Sequence, residues 1–161
     1  MRLIRRLTHI VSVITAITLG ALVLLVVYDA TARYLFSHGS TALQELEWHL
    51  FDVVILLSIA FTLHQNAHVR VDILYDTFSP KVQSFINIIS LLFFVLPLSL
   101  MIIYIGIDFV QMSFIQHEAS SDPGGLPYRW VIKSFIPLSF ALVALQASAE
   151  VLDEIKKWRS L

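Results

Sequence analysis

Residues Phe85–Ile107 read FINIISLLFFVLPLSLMIIYIGI, 23 positions without a charge. As an α-helix this stretch is about 34 Å long, enough to cross the ~30 Å hydrocarbon core of a bilayer. Its backbone donors and acceptors would all be satisfied within the segment, as lipid demands. Pro97 interrupts the run. A kink is expected there, tolerable where neighbouring helices re-satisfy the freed carbonyl. With its flanks the span covers 82–112.

The rest of the chain agrees with that solvent. Of 161 residues, 57% are hydrophobic and 14% charged, where a soluble domain carries about a quarter charged. Mean hydropathy is +0.77. Most of the surface must therefore face something other than water. A net charge of −1 supplies no basic field for nucleic acid. The absence of cysteine excludes disulfides, thiolate metal sites and cysteine nucleophiles together.

Three more spans follow. Leu7–Tyr28 is an apolar run of 22 residues, too long for the roughly 7–15-residue apolar region of a cleaved signal. It reads as a retained first helix over 7–28, although Ala30-Thr31-Ala32 resembles a cleavage site. Leu50–Leu63 is short, but Thr41-Ala42-Leu43-Gln44 fits a capping box, so a second helix is expected over 41–65 with its acidic first turns at the membrane surface. The fourth, over 130–152, contains Lys133, Pro137, Gln146 and Glu150 and reads as a span only in the company of the others. The expected fold is an all-α integral membrane domain of four helices.

Orientation follows from the basic residues. With the N-terminus inside, Arg2, Arg5, Arg6, Arg70, Lys81, Lys156, Lys157 and Arg159 lie on the cytoplasmic side, against Arg33, Arg129 and Lys133 outside. That asymmetry places both termini in the cytoplasm. Trp48, Tyr128 and Trp130 then fall at the outer interface and Trp158 at the inner one. The inner connection Asn66–Pro80 alternates Val69, Val71 and Ile73 with Arg70 and Asp72, as a short amphipathic piece on the membrane surface would. Asp122-Pro123-Gly124-Gly125-Leu126-Pro127 reads as a rigid outer turn.

Ionisable groups at membrane depth are the first candidates for function, since each costs at least ~2.5 kcal/mol at a helix centre. Asp29 and Arg33 share one face of the first helix. Glu45, His49 and Asp52 share one face of the second. Asp108 lies near the outer end of the third and Lys133 near that of the fourth. These residues suggest a buried polar layer in the outer half, with Asp52–Lys133 as its deepest pair. The plain reading is interhelical fastening, with Lys133 snorkelling to the headgroups. A partner surface or an ion path are the functional alternatives, but below Asp108 the third span offers only Asn87, Ser90 and Ser99. His9 and His64 near the inner ends could ligate a haem, which would make the chain a haem- or quinone-binding anchor of a respiratory enzyme. A stand-alone four-span exporter is a further alternative, although its carboxylate would sit mid-membrane in the first span, unlike Asp29. Phosphate loops, H-E-x-x-H and G-x-S-x-G are all missing, so no enzyme and no cofactor is suggested. The apolar third span, without broken helices or an internal repeat, looks accessory.

Three stretches carry a family resemblance: Leu43–Phe51 (LQELEWHLF), His68–Tyr75 (HVRVDILY) and Ser121–Leu138 (SDPGGLPYRWVIKSFIPL). Together with their spacing and the four-span length, they resemble the small membrane subunit of tripartite ATP-independent periplasmic (TRAP) transporters, the DctQ-like family. The resemblance implies a place in the bacterial inner membrane beside a large DctM-like subunit and a periplasmic DctP-like binding protein. The binding protein would capture an organic acid, and the large subunit would import it by sodium symport. The small subunit would pack against the large subunit's scaffold. On that pattern Glu47 and Trp48, with Pro123, Gly124, Gly125, Pro127, Tyr128, Arg129 and Trp130, face the periplasm. His68, Arg70 and Asp72 face the cytoplasm and fix the inner loop or contact lipid headgroups.

Overall fold

The computed structural model describes residues 2–64, Tyr75 and residues 77–160. Within them are four long helices: α1 (Arg2–Phe36), α2 (Thr41–His64), α3 (Pro80–Ile115) and α4 (Trp130–Ser160). Each is long and apolar enough to cross a membrane. The amphipathic inner loop, including His68, Arg70 and Asp72, falls outside the described residues.

Helix ends depart from the hydropathy boundaries where local chemistry decides them. α1 overruns 7–28 at both ends because nothing in its polar flanks breaks a helix. It stops at Ser37, which takes a left-handed φ of 52°, and the His38 N–H donates back to the Ala32 carbonyl at 3.1 Å. In α2 the Gln44 N–H donates to the Ser40 carbonyl. Ser40 therefore holds the cap position expected for Thr41, and Thr41 is the first helical residue.

Packing is an open row, not a closed bundle. α4 is central, with α2 on one side and α3 on the other, while α1 lies on the far side of α2. α1 and α3 do not pack on one another, and α1 reaches α4 only slightly. Solvent-accessible area is 10773 Å², where a compact soluble protein of 18.3 kDa would show ~8,100 Å². The excess is apolar: the outward faces of all four helices carry exposed large hydrophobic side chains. The core is correspondingly small. Ala60 and Leu63 of α2, Leu91 of α3 and Val143 and Ala147 of α4 meet in the half nearer the chain termini.

The seams use small residues, several of which bond their own helix, and these let helix backbones approach in lipid. On α1, Thr8, Val11, Thr15, Thr18, Leu22, Leu25 and Asp29 are buried or half-buried at alternating steps of three and four. The Thr15 and Thr18 hydroxyls donate to carbonyls of their own helix at 2.8 and 2.9 Å, so the stripe is polar in composition but not in need. Thr8 Oγ1 donates to Gln146 Oε1 of α4 at 3.0 Å. On α3 the buried positions Ser84, Leu91, Ser99, Gly106 and Ser113 are seven apart, except for eight between Leu91 and Ser99. That gap contains a π-helical turn, Leu91–Val95, in which the Leu96 N–H donates to the Leu91 carbonyl. The extra residue keeps the seam on α4 and widens the helix just ahead of Pro97, whose ring would otherwise press on the Phe93 carbonyl. α3 is thus not apolar all round: it turns a small, polar seam to α4 and its Phe and Leu side chains outward.

Further along, α3 and α4 cross at Gly106 and Pro137. A Cβ on Gly106 would lie 3.2 Å from Pro137 Cδ and 3.3 Å from its Cβ, and a proline ring within a helix cannot rotate away. Gly106→Val is therefore expected to lower stability in detergent by about 1–3 kcal/mol. Gly20→Val, where a Cβ meets nothing within 4 Å, should stay within ~0.5 kcal/mol; thermal unfolding of the two variants checks this.

Candidate functional site

The polar residues gather at the end of the row that carries the connections 37–40 and 116–129. The second connection is built by its own backbone. Gln116 ends α3, His117 takes φ 48°, and the Glu118 N–H donates to the Ser113 carbonyl at 3.0 Å. Asp122-Pro123-Gly124-Gly125 forms a turn closed by the Gly125 N–H on the Asp122 carbonyl at 3.0 Å. Proline in second place presets φ, and Gly124 in third place supplies the left-handed φ of 79° that a type II turn requires. Ser120 N–H to Leu126 carbonyl and Arg129 N–H to Glu118 carbonyl, both 3.0 Å, pull the two arms together.

Glu45 of α2 enters this loop from the side. Its carboxylate is nearly buried and accepts from the Ser120 hydroxyl, from the Leu126 N–H at 2.6 Å and from Arg129 Nη2 at 2.9 Å. Three donors, one of them cationic, satisfy a charge that would otherwise be costly at this depth. Arg129 Nη2 also reaches Ser120 Oγ at 3.3 Å. One carboxylate therefore ties the start of α2 to the loop and to the residue that precedes α4. Gly125 makes this approach possible. A Cβ there would overlap Ser120 Cβ and Oγ and lie 2.9 Å from Glu45 Oε2.

Two further ion pairs flank this clasp. Lys133 bonds Glu118 across the base of the loop and stands 4.0 Å above the Phe109 ring of α3. The Lys133 ammonium holds the Glu118 carboxyl below its ordinary 4.5, so Glu118 is ionised at neutral pH. On α1, Arg33 bonds the buried Asp29. The Gln44 amide oxygen, turned toward the same guanidinium, accepts from it at 2.7 and 2.8 Å, which fastens α1 to α2.

The expected Asp52–Lys133 pair is not formed. The loop folds back onto α4 and puts Glu118 within reach of Lys133, while Asp52 is exposed on α2. Nor is there one continuous buried polar layer. Asp29 and Glu45 are buried, but Asp52 and Asp108 face outward. Without a closed bundle there is no common interior for them to share. Glu45, His49 and Asp52 do line one groove of about 450 Å³, together with Asp122, Arg129 and Lys133. Glu47 and Trp48 border a second groove, against Leu22 and Val26 of α1. Trp130 packs edge-on against Phe114, 5.4 Å between centroids. Pro123 and Pro127 are exposed at the loop surface, as is Tyr128, with a left-handed φ of 60°. Of the histidines considered for haem, His9 is exposed on α1. Among the described residues no group of three or more histidine, aspartate or glutamate side chains is placed to hold a metal ion. The Glu45–Arg129 link joins residues 84 apart in sequence, and nothing in the local pattern of either residue announces the other.

These features define a multi-pass membrane protein in which the ion pairs among the described residues fasten helices and a loop. The chain belongs to the tripartite ATP-independent periplasmic transporters, DctQ component: the family model matches residues 22–157. It is therefore the small membrane component of such a transporter, and the family is one of transporter components, not enzymes. No individual curated protein matches the chain.

Gly124 and Gly125 separate conformation from contact. Gly124→Ala, which meets open space but keeps a positive φ, is expected to cost about 1–2 kcal/mol. Gly125→Ala should cost more, on the order of 3 kcal/mol, because it drives Ser120 off the Glu45 carboxylate. Chemical unfolding in mild detergent gives the order of the two.

Proposed function

We propose that this chain is an accessory subunit that packs against the scaffold of a large DctM-like permease in a bacterial inner membrane. That permease imports an organic carboxylate with sodium after a periplasmic DctP-like protein has captured it. The reading is supported above all by the open row of helices. Transport through a chain needs a site enclosed near the bilayer midplane and lined by interrupted backbone. Here the described grooves are open ones at helix junctions, and the ion pairs are spent on fastening. What the row does offer is long apolar faces, far more than a monomer of this size exposes.

Both termini lie in the cytoplasm on this reading, which follows the excess of basic residues there. The 116–129 loop and the start of α2 then lie on the periplasmic side, within reach of the binding protein. The clasp on Glu45 keeps that surface rigid, and a rigid surface loses less entropy when a partner docks.

Co-expression of this chain with its neighbouring large permease, and affinity purification through a tag on the permease, tests the proposal. The chain is expected to co-purify. Sodium-driven carboxylate uptake into proteoliposomes should require permease, small subunit and binding protein together. Uptake by this chain alone, or a permease that purifies and transports without it, would contradict the proposal.

A further inference from the structure

Two exposed surfaces of the row differ in charge. On one, α4 exposes a stripe of Val131, Leu138, Leu145 and Leu152 at steps of seven, a surface that lipid tails match. On the other, α2 exposes Trp48 (66%), Phe51 and Ile55, with Asp52 between them and Glu47 beside them. Neither acid has a donor among the described residues. Asp52 has no ion pair among the described residues, since Lys133 is held by Glu118. Glu47 Oε1 is shut off from solvent and has no hydrogen-bond partner. The groove beside Asp52 has more acid than base as well: Glu45, Asp52, Asp122 and the nearby Glu118 stand against Arg129 and Lys133.

A short aspartate side chain cannot snorkel to the headgroups as lysine does, and lipid tails offer no donor. A carboxylate left open at this depth is expensive unless something supplies one. We propose that the face of α2 carrying Glu47, Trp48, Phe51, Asp52 and Ile55 is the one that the large membrane subunit covers. Cationic side chains on a helix of that subunit meet the exposed Asp52 and the accessible side of the half-buried Glu47. Trp48 and Phe51, set edge to face at 6.2 Å, supply the apolar anchor between the two charges. The leucine stripe of α4 faces lipid. This inference rests on the accessory-subunit reading and adds to it the contact face and its charge.

The chain has no cysteine, so single-cysteine variants are clean reporters. Ile55→Cys and Leu145→Cys, labelled with a maleimide-benzophenone and irradiated in membranes containing the large subunit, are expected to differ. Ile55→Cys should yield an adduct with the large subunit and Leu145→Cys none. Asp52→Lys should lower the amount of chain recovered with the tagged permease by about tenfold or more, because it sets like charges against each other. Asp52→Asn, which keeps an acceptor, should lower it less. An adduct from Leu145→Cys alone, or from neither position while the unsubstituted chain still co-purifies, overturns the assignment of the face. So does undiminished recovery of Asp52→Lys. Failure of the unsubstituted chain to co-purify would instead strike the accessory-subunit reading.

Discussion

The Glu45 carboxylate is the junction on which the connection end of the molecule depends. It lies at the start of α2, and its donors come from Ser120, Leu126 and Arg129, on a loop that begins at the end of α3 and finishes at the start of α4. Three helices thereby share one ionised group. Only α1 stands outside this junction, and it is tied to α2 by Asp29, Arg33 and Gln44. Burying a carboxylate is expensive, and breaking such a pair by removing one partner leaves an uncompensated charge, at a cost of ~3–5 kcal/mol. The clasp therefore specifies one arrangement of loop and helices more than it adds net stability.

Lipid shapes everything else. Apolar side chains gain little by leaving hydrocarbon for a protein interior, so helices associate through close backbone approach and hydrogen bonds. The seams show this economy: Ser84, Ser99 and Ser113 on α3, Ser139 on α4, and Gly106 against Pro137. At the terminal end Thr8 bonds Gln146, and Asn87 bonds Glu154. A row of helices results because no drive exists to bury the remaining apolar faces against each other. Those faces are left for lipid or for a partner subunit, which is what an accessory subunit needs.

Much of this was legible in the sequence because hydropathy and bilayer thickness speak directly to each other. The uncharged run at Phe85–Ile107 yields a span without ambiguity, and LQELEWHLF with SDPGGLPYRWVIKSFIPL carries the family. The turn at Asp122–Gly125 is readable because only glycine takes φ near 79° without strain. What was not legible depends on distance in space. Depth alone pairs Lys133 with Asp52, yet Glu118 reaches it first because of how the loop folds back. Glu45 and Arg129 stand out singly in the sequence, and their link appears only once the loop is built. The π-helical turn had a faint signal: Pro97 lies between Leu91 and Ser99, where the seven-residue repeat of the α3 seam slips to eight.

The most direct test of the clasp is a double-mutant cycle on Glu45→Ala and Arg129→Ala, read by denaturant unfolding of the purified chain in detergent. Each single change should cost ~3–5 kcal/mol, and the double change little more than either, giving a coupling of at least ~1 kcal/mol. Costs that simply add would mean that the two residues act independently, and the junction described here would not be what holds the loop to the helices.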